Sequence, residues 1–121
     1  MFEETKNKII FSGLTNTFYK PNYRLVTGSV KGMLYLSCLK DYARAYMSMH
    51  KKDSFVINED YITSETSLTQ KEQHKCLKKL LEIGVLIPTS TSGCEYNIDQ
   101  NKITETIVTE LEKLHTDEEE I

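Results

Sequence analysis

The sequence has no tryptophan, two prolines, five glycines and three cysteines in 121 residues. Cys38, Cys76 and Cys94 are odd in number and far apart, which argues against a disulfide framework and for a reducing compartment. No window approaches the roughly 18 consecutive apolar residues that a membrane span needs. The N-terminus, MFEETKNK, has no basic start followed by an apolar run, so no secretory signal is expected and the cytoplasm is the expected location. There is no glycine-rich phosphate loop and no serine elbow. His50, His74 and His115 are scattered, with no cysteine or carboxylate at metal-ligand spacing. Neither an enzyme, nor a metal site, nor a cofactor is expected.

What is present suits one modest domain: 39% apolar residues, 27% charged residues, seven tyrosines and four phenylalanines. The net charge of −3 is unevenly spread. Residues 1–52 hold nine Lys/Arg against three Asp/Glu, residues 53–100 four against eight, and residues 101–121 two against seven. An acidic total disfavours indiscriminate nucleic-acid binding, which depends on neutralising phosphates. It leaves room for a local basic face away from the tail.

Along the chain, Ile9-Ile10-Phe11 and Phe18-Tyr19 fit short strands or an arm, which Pro21-Asn22 breaks. The stripe Val30, Met33, Leu34, Leu36, Leu39, Tyr42, Ala43 and Met47 predicts a core helix over about 30–49, capped by Ser29. A short strand at Phe55-Val56-Ile57 and a short helix capped by Asn58 follow. Thr69-x-x-Glu72 is a capping box. It opens a helix whose stripe is Gln73, Cys76-Leu77, Leu80-Leu81 and Ile83, and Gly84 ends that helix. Val85-Leu86-Ile87 and Cys94 to Ile98 read as a β-hairpin. A last helix runs from Lys102 to about His115, and the acidic end DEEEI should fray because carboxylates oppose the macrodipole there.

This order over residues 29–98 resembles the winged helix-turn-helix family, most sharply in CLKKLLEIGVLI, with Ile62 and Leu68-Thr69 at matching positions. More loosely, FYKPNYRLVTGSVKGMLYLSCLKDYARAY is similar to the N-terminal domains of replication initiators from Gram-positive plasmids and phages. The resemblance implies an α+β, mainly helical fold with a two-stranded wing and an additional C-terminal helix. The chain would divide into an arm (1–28), a winged-helix domain (29–100) and a C-terminal helix with an acidic tail (101–121).

The resemblance also implies double-stranded DNA as partner, with the helix from Thr69 in the major groove. Thr69, Gln70, Lys71, Gln73, His74, Lys75 and Lys78 would then contact DNA, Gln73 doing so only if the apolar stripe it begins leaves it accessible. Glutamine can pair with adenine, and lysine with guanine or phosphate. The plainer reading is a polar face kept for solubility. The expected wing tip, TSTSGCE, carries no Lys or Arg, so Ser92 there, with Lys51 and Lys52, is expected to hold phosphate. Lys20, Arg24 and Lys31 are further candidates. Ile103, Ile107, Leu111 and Leu114 form a stripe that either folds onto the domain or pairs two copies in a homodimer. The role expected is a phage, plasmid or bacterial regulator or replication-associated factor. The rival is a winged-helix protein-interaction module, such as a phage-encoded modulator of a host protein, which the uncharged wing and acidic tail favour. Carboxylates such as Glu59, Asp60 and Glu65 crowding the Lys71–Lys75 face would support it. A domain that only oligomerises is a third reading.

Overall fold

The computed structural model describes residues 20–89 and 94–120, with side chains through Leu114. The strands expected around residues 9–11 and 18–19 lie outside the described residues. Five helices and three short strands are described: α1 (Tyr23–Thr27), α2 (Val30–His50), β1 (Phe55–Val56), α3 (Glu59–Thr66), α4 (Gln70–Glu82), β2 (Leu86–Pro88), β3 (Glu95–Ile98) and α5 (Gln100–Glu120). The fold is mainly helical with one antiparallel sheet, an α+β arrangement.

The centre is α2, which packs against α1, α3, α4 and β1. Surrounded in this way, it buries more than one stripe: Met33, Tyr35, Leu36, Ser37, Cys38, Leu39 and Ala43 are all inside. Val30, expected on the apolar stripe, is exposed instead, because it occupies the first turn beyond the packed region. Ser29 caps the helix by accepting a hydrogen bond from the Gly32 N–H at 2.9 Å. Gly32 lies so close to α1 that a Cβ there would sit 2.6 Å from Thr27 Cβ, so no larger residue fits without displacement. Helix α1, for which the sequence reading has no element, inserts Tyr23 and Val26 into the core and touches α2, α4 and α5.

Asn58 caps α3 by accepting from the Tyr61 N–H. Ser67 (φ 66°) closes α3 in the left-handed region, donating its N–H to Thr63 O. Leu68 then drops into the core before Thr69 starts α4. Of the stripe expected on α4, Gln73 and Leu80 are buried and Cys76, Leu77 and Ile83 half-buried. Leu81 corrects that reading: it lies on the exposed side. Gly84 (φ 81°) turns the chain out of the helix, with Val85 N–H bonded to Leu80 O at 3.0 Å.

The sheet order is β1-β3-β2. The β2–β3 hairpin pairs Leu86 with Ile98 and Pro88 with Tyr96, and β1 adds to its other edge with Phe55 opposite Tyr96. Phe55, Val85 and Leu86 bury one side of this sheet against the helices. Asp99 then starts α5 by accepting from the Lys102 N–H at 3.1 Å. Helix α5 packs on α1 and continues to Glu120, through the segment expected to fray. Among the described residues, no helix is long and apolar enough to cross a membrane.

Candidate functional site

Helix α4 carries most of the candidate residues, and its N-terminus is fixed by reciprocal hydrogen bonds. Thr69 Oγ1 accepts from the Glu72 N–H at 3.1 Å, and Glu72 Oε1 accepts from the Thr69 N–H at 2.9 Å. The second carboxylate oxygen of Glu72 receives Lys31 Nζ at 2.6 Å. That lysine, with help from the Thr69 N–H, holds the Glu72 carboxyl below its ordinary range, and Glu72 in turn raises Lys31. Both groups are solvated, so the pair fixes geometry more than it stabilises. Thr69 therefore serves as a cap, and Glu72 no longer presents a free anion beside the lysines.

With the capping box and the Gln73–Leu80 side anchored, helical spacing sets which residues face outward. Gln70, Lys71, His74, Lys75 and Lys78 are exposed, as are Lys79 and Glu82. The side chains of Lys71, Lys75, Lys78 and Lys79 make no ion pair or hydrogen bond among the described residues. Lys71–Lys75 and Lys75–Lys79 are like charges one turn apart, each pair disfavouring the helix by about 0.2–0.5 kcal/mol. Such a face costs stability unless an anion meets it. Lys75, Lys79 and Lys31 also line one groove of about 380 Å³ with Ser29 and Gly32, at the N-terminal end of α2. Lys79 was missing from the sequence-derived set, although the Lys71, Lys75, Lys79 repeat at four-residue spacing was its signal.

Gln73 corrects the set in the other direction. It is 1% exposed, and its Nε2 donates to Glu59 O (3.2 Å), Thr63 Oγ1 (2.8 Å) and Leu68 O (3.2 Å), so it holds the α3–α4 turn together instead of facing outward. His74 is exposed but turned toward α3, with Nε2 2.9 Å from Glu59 Oε2. Lys51 and Lys52 stand apart from the α4 lysines, in a cleft of about 510 Å³ shared with Asp53, Ser54 and Glu95. There Glu95 accepts from Ser54 Oγ at 2.6 Å, so two carboxylates accompany those two cations. Ser92 lies outside the described residues.

Of the proposed pairing stripe on α5, Ile103 is buried in the chain's own core and Ile107 packs against it. This corrects Ile103, whose contact surface is already used. Leu111 and Leu114 are 45% and 53% exposed, and Val108, one turn before Leu111, is 48% exposed.

Burial raises the thiols of Cys38, to about 12, and of Cys76. Neither is an activated nucleophile. Among the described residues, no group of three or more His, Cys, Asp or Glu is placed to hold a metal ion. Comparison with protein-family models, curated proteins and solved structures finds no match to this chain.

Proposed function

We propose that this chain is a winged helix-turn-helix domain that binds double-stranded DNA without catalysis, with α4 as its recognition helix. The observation that carries this reading is the set of four outward lysines on α4, Lys71, Lys75, Lys78 and Lys79, none of which has an ion partner among the described residues. The order of elements supports it: α2, α3, a tight turn, α4 and a hairpin, with the sheet ordered β1-β3-β2. Helix α4 is about 20 Å long by its 13 residues, enough to cross a major groove about 12 Å wide.

In this arrangement Gln70, at the N-terminal end, meets base edges, while Lys71, Lys75, Lys78 and Lys79 hold phosphates. Lys31 fixes the helix end through Glu72. The hairpin supplies little charge: its described base presents Glu95, so affinity rests on α4. Two copies pair through Val108, Leu111 and Leu114 of α5, placing two reading helices on one duplex. A regulator or replication-associated factor of a phage, plasmid or bacterium is the role that fits.

The test is duplex binding by the Lys71→Ala, Lys75→Ala double mutant across a salt series. Both lysines are exposed, so the variant should melt as the parent does. Its binding should weaken, and the slope of log K against log salt should flatten by about 2, from two lost phosphate contacts at about 0.9 each. Unchanged affinity and slope would remove α4 as the reading helix.

A further inference from the structure

The exposed apolar residues of α5 continue a longer stripe. Gln100, Thr104, Val108, Leu111 and Leu114 recur at spacings of four, four, three and three, so they share one face of the helix. All five are exposed. The polar end of this stripe is tied to α2: Lys40 Nζ donates to Gln100 Oε1, and Gln100 Nε2 donates to Thr104 Oγ1 at 3.3 Å. The apolar end runs on toward residues 117–120, which read DEEE.

Lys40 belongs to a cluster of cations. Burial first, and then the nearby Arg44 and Lys20, hold its ammonium below the ordinary lysine value. Asp41 acts on it in the opposite sense, but Asp41 Oδ1 already accepts from Arg44 at 2.6 Å. Lys20, Lys40 and Arg44 against Asp41 leave a surplus of positive charge at the foot of α5, while its far end carries four acidic residues in a row. One chain cannot bring the two together, because residues 100 and 118 are about 27 Å apart along a continuous helix.

A second copy can. Two identical chains meet about a two-fold axis, which repeats every contact. Parallel pairing of α5 would set the two DEEE ends side by side, where like charges repel. Antiparallel pairing about Leu111 sets position 114 against 108 and position 118 against 104. Each acidic end then lies within a turn of Gln100 in the other copy, where Lys40 is bound. A stripe of this length is also too short to hold two helices by itself and needs contacts outside them. The cationic cluster supplies such contacts. We propose that two copies pair antiparallel through α5, each lodging its acidic end against the Lys20, Lys40 and Arg44 cluster of the other. This arrangement rests on the α5 pairing proposed for function, and it adds a direction and a charged contact.

The experiment uses the full chain free of DNA, as an equal mixture of unlabelled and isotope-labelled protein. Light scattering gives its mass. A zero-length carbodiimide then couples carboxylates to amines, and mass spectrometry identifies the joined peptides. Lys40 should be joined to residues 117–120 in mixed-isotope pairs, a product that the helix length forbids within one chain. Because the axis repeats the contact, Lys40→Glu should weaken the dimer about tenfold at low salt and less at high salt. Adding Glu118→Lys to the same chain should restore most of that loss. A dimer whose coupling never joins Lys40 to residues 117–120 overturns the antiparallel arrangement and leaves α5 pairing standing. A chain that stays monomeric up to millimolar concentration overturns both, without touching the lysines of α4. A Lys40→Glu chain that dimerises as the parent does but binds duplex DNA more weakly assigns the cluster to phosphate and overturns the proposal too. Should that variant melt early, the coupling on the parent chain still decides.

Discussion

Gln73 spends both its amide protons on oxygens of the α3–α4 turn while sitting almost wholly inside the protein. Removing that side chain takes this donor from Glu59 O and Thr63 Oγ1, while Leu68 O is still served by Thr63 Oγ1. Gln73→Ala should therefore destabilise the domain by about 1–3 kcal/mol in urea denaturation. Gln73→Met, which keeps the volume and removes an Oε1 buried without a partner among the described residues, should cost less. An alanine variant as stable as the parent would mean that the turn is held without this glutamine. The sequence showed Gln73 at the head of the apolar stripe and also among polar residues typical of a reading helix. Glutamine suits both settings, and only the positions of Thr63 and Leu68 decide between them. Lys71, Lys75 and Lys78 were legible because three outward lysines follow from helical phase alone. The pairing of His74 with Glu59 was not, since those residues are 15 apart and meet only once α3 turns back on α4.

At the scale of elements, α4 begins with a box written in four consecutive residues, so its start could be read directly from Thr69 to Glu72. Its tie to α2 could not, because Lys31 lies 41 residues away. This tie makes stability depend on pH in a defined sense. The Glu72 carboxyl sits below its ordinary value in the folded chain, held by Lys31 first and the Thr69 N–H second. A depressed carboxyl stabilises the fold above its unfolded pKa, about 4.3. That stabilisation is lost as pH falls through the folded value. Glu72→Gln should thus be less stable than the parent at pH 7, with the gap closing as pH drops below about 4 and narrowing in high salt. A gap that persists at low pH would assign the loss to packing instead of charge. Elsewhere, α1 was hidden because five residues after Pro21 give too little pattern to phase, whereas the hairpin after Gly84 was plain. The pairing of β1 with β3 is a long-range contact that no local pattern encodes.

For the whole molecule, the division of labour follows charge and length. Helix α5 spans 21 residues, about 31 Å, and among the described residues its anchors in the core, Ile103 and Ile107, lie near its start. A periodic stripe shows that a helix buries one side; it does not say against which chain. Hence Ile103 could be assigned to a partner from sequence although it belongs to its own core. The exposed remainder, Val108, Leu111 and Leu114, gives the dimer its test. Leu111→Lys with Leu114→Lys should halve the mass seen by light scattering while leaving monomer stability intact. An unchanged mass would place any self-association elsewhere. The acidic total matters less than its placement, because the four α4 lysines stand together while the acidic excess lies largely in α5. Whether that cationic face meets DNA is decided most directly by titrating the parent chain against duplex DNA from low to moderate salt, at a known oligomeric state. Four lysines per copy neutralising phosphates require log K to fall with log salt at a slope of about −3.6 per copy engaged. A slope of that size would support the account, and no binding at low salt, or binding with a slope near zero, would contradict it.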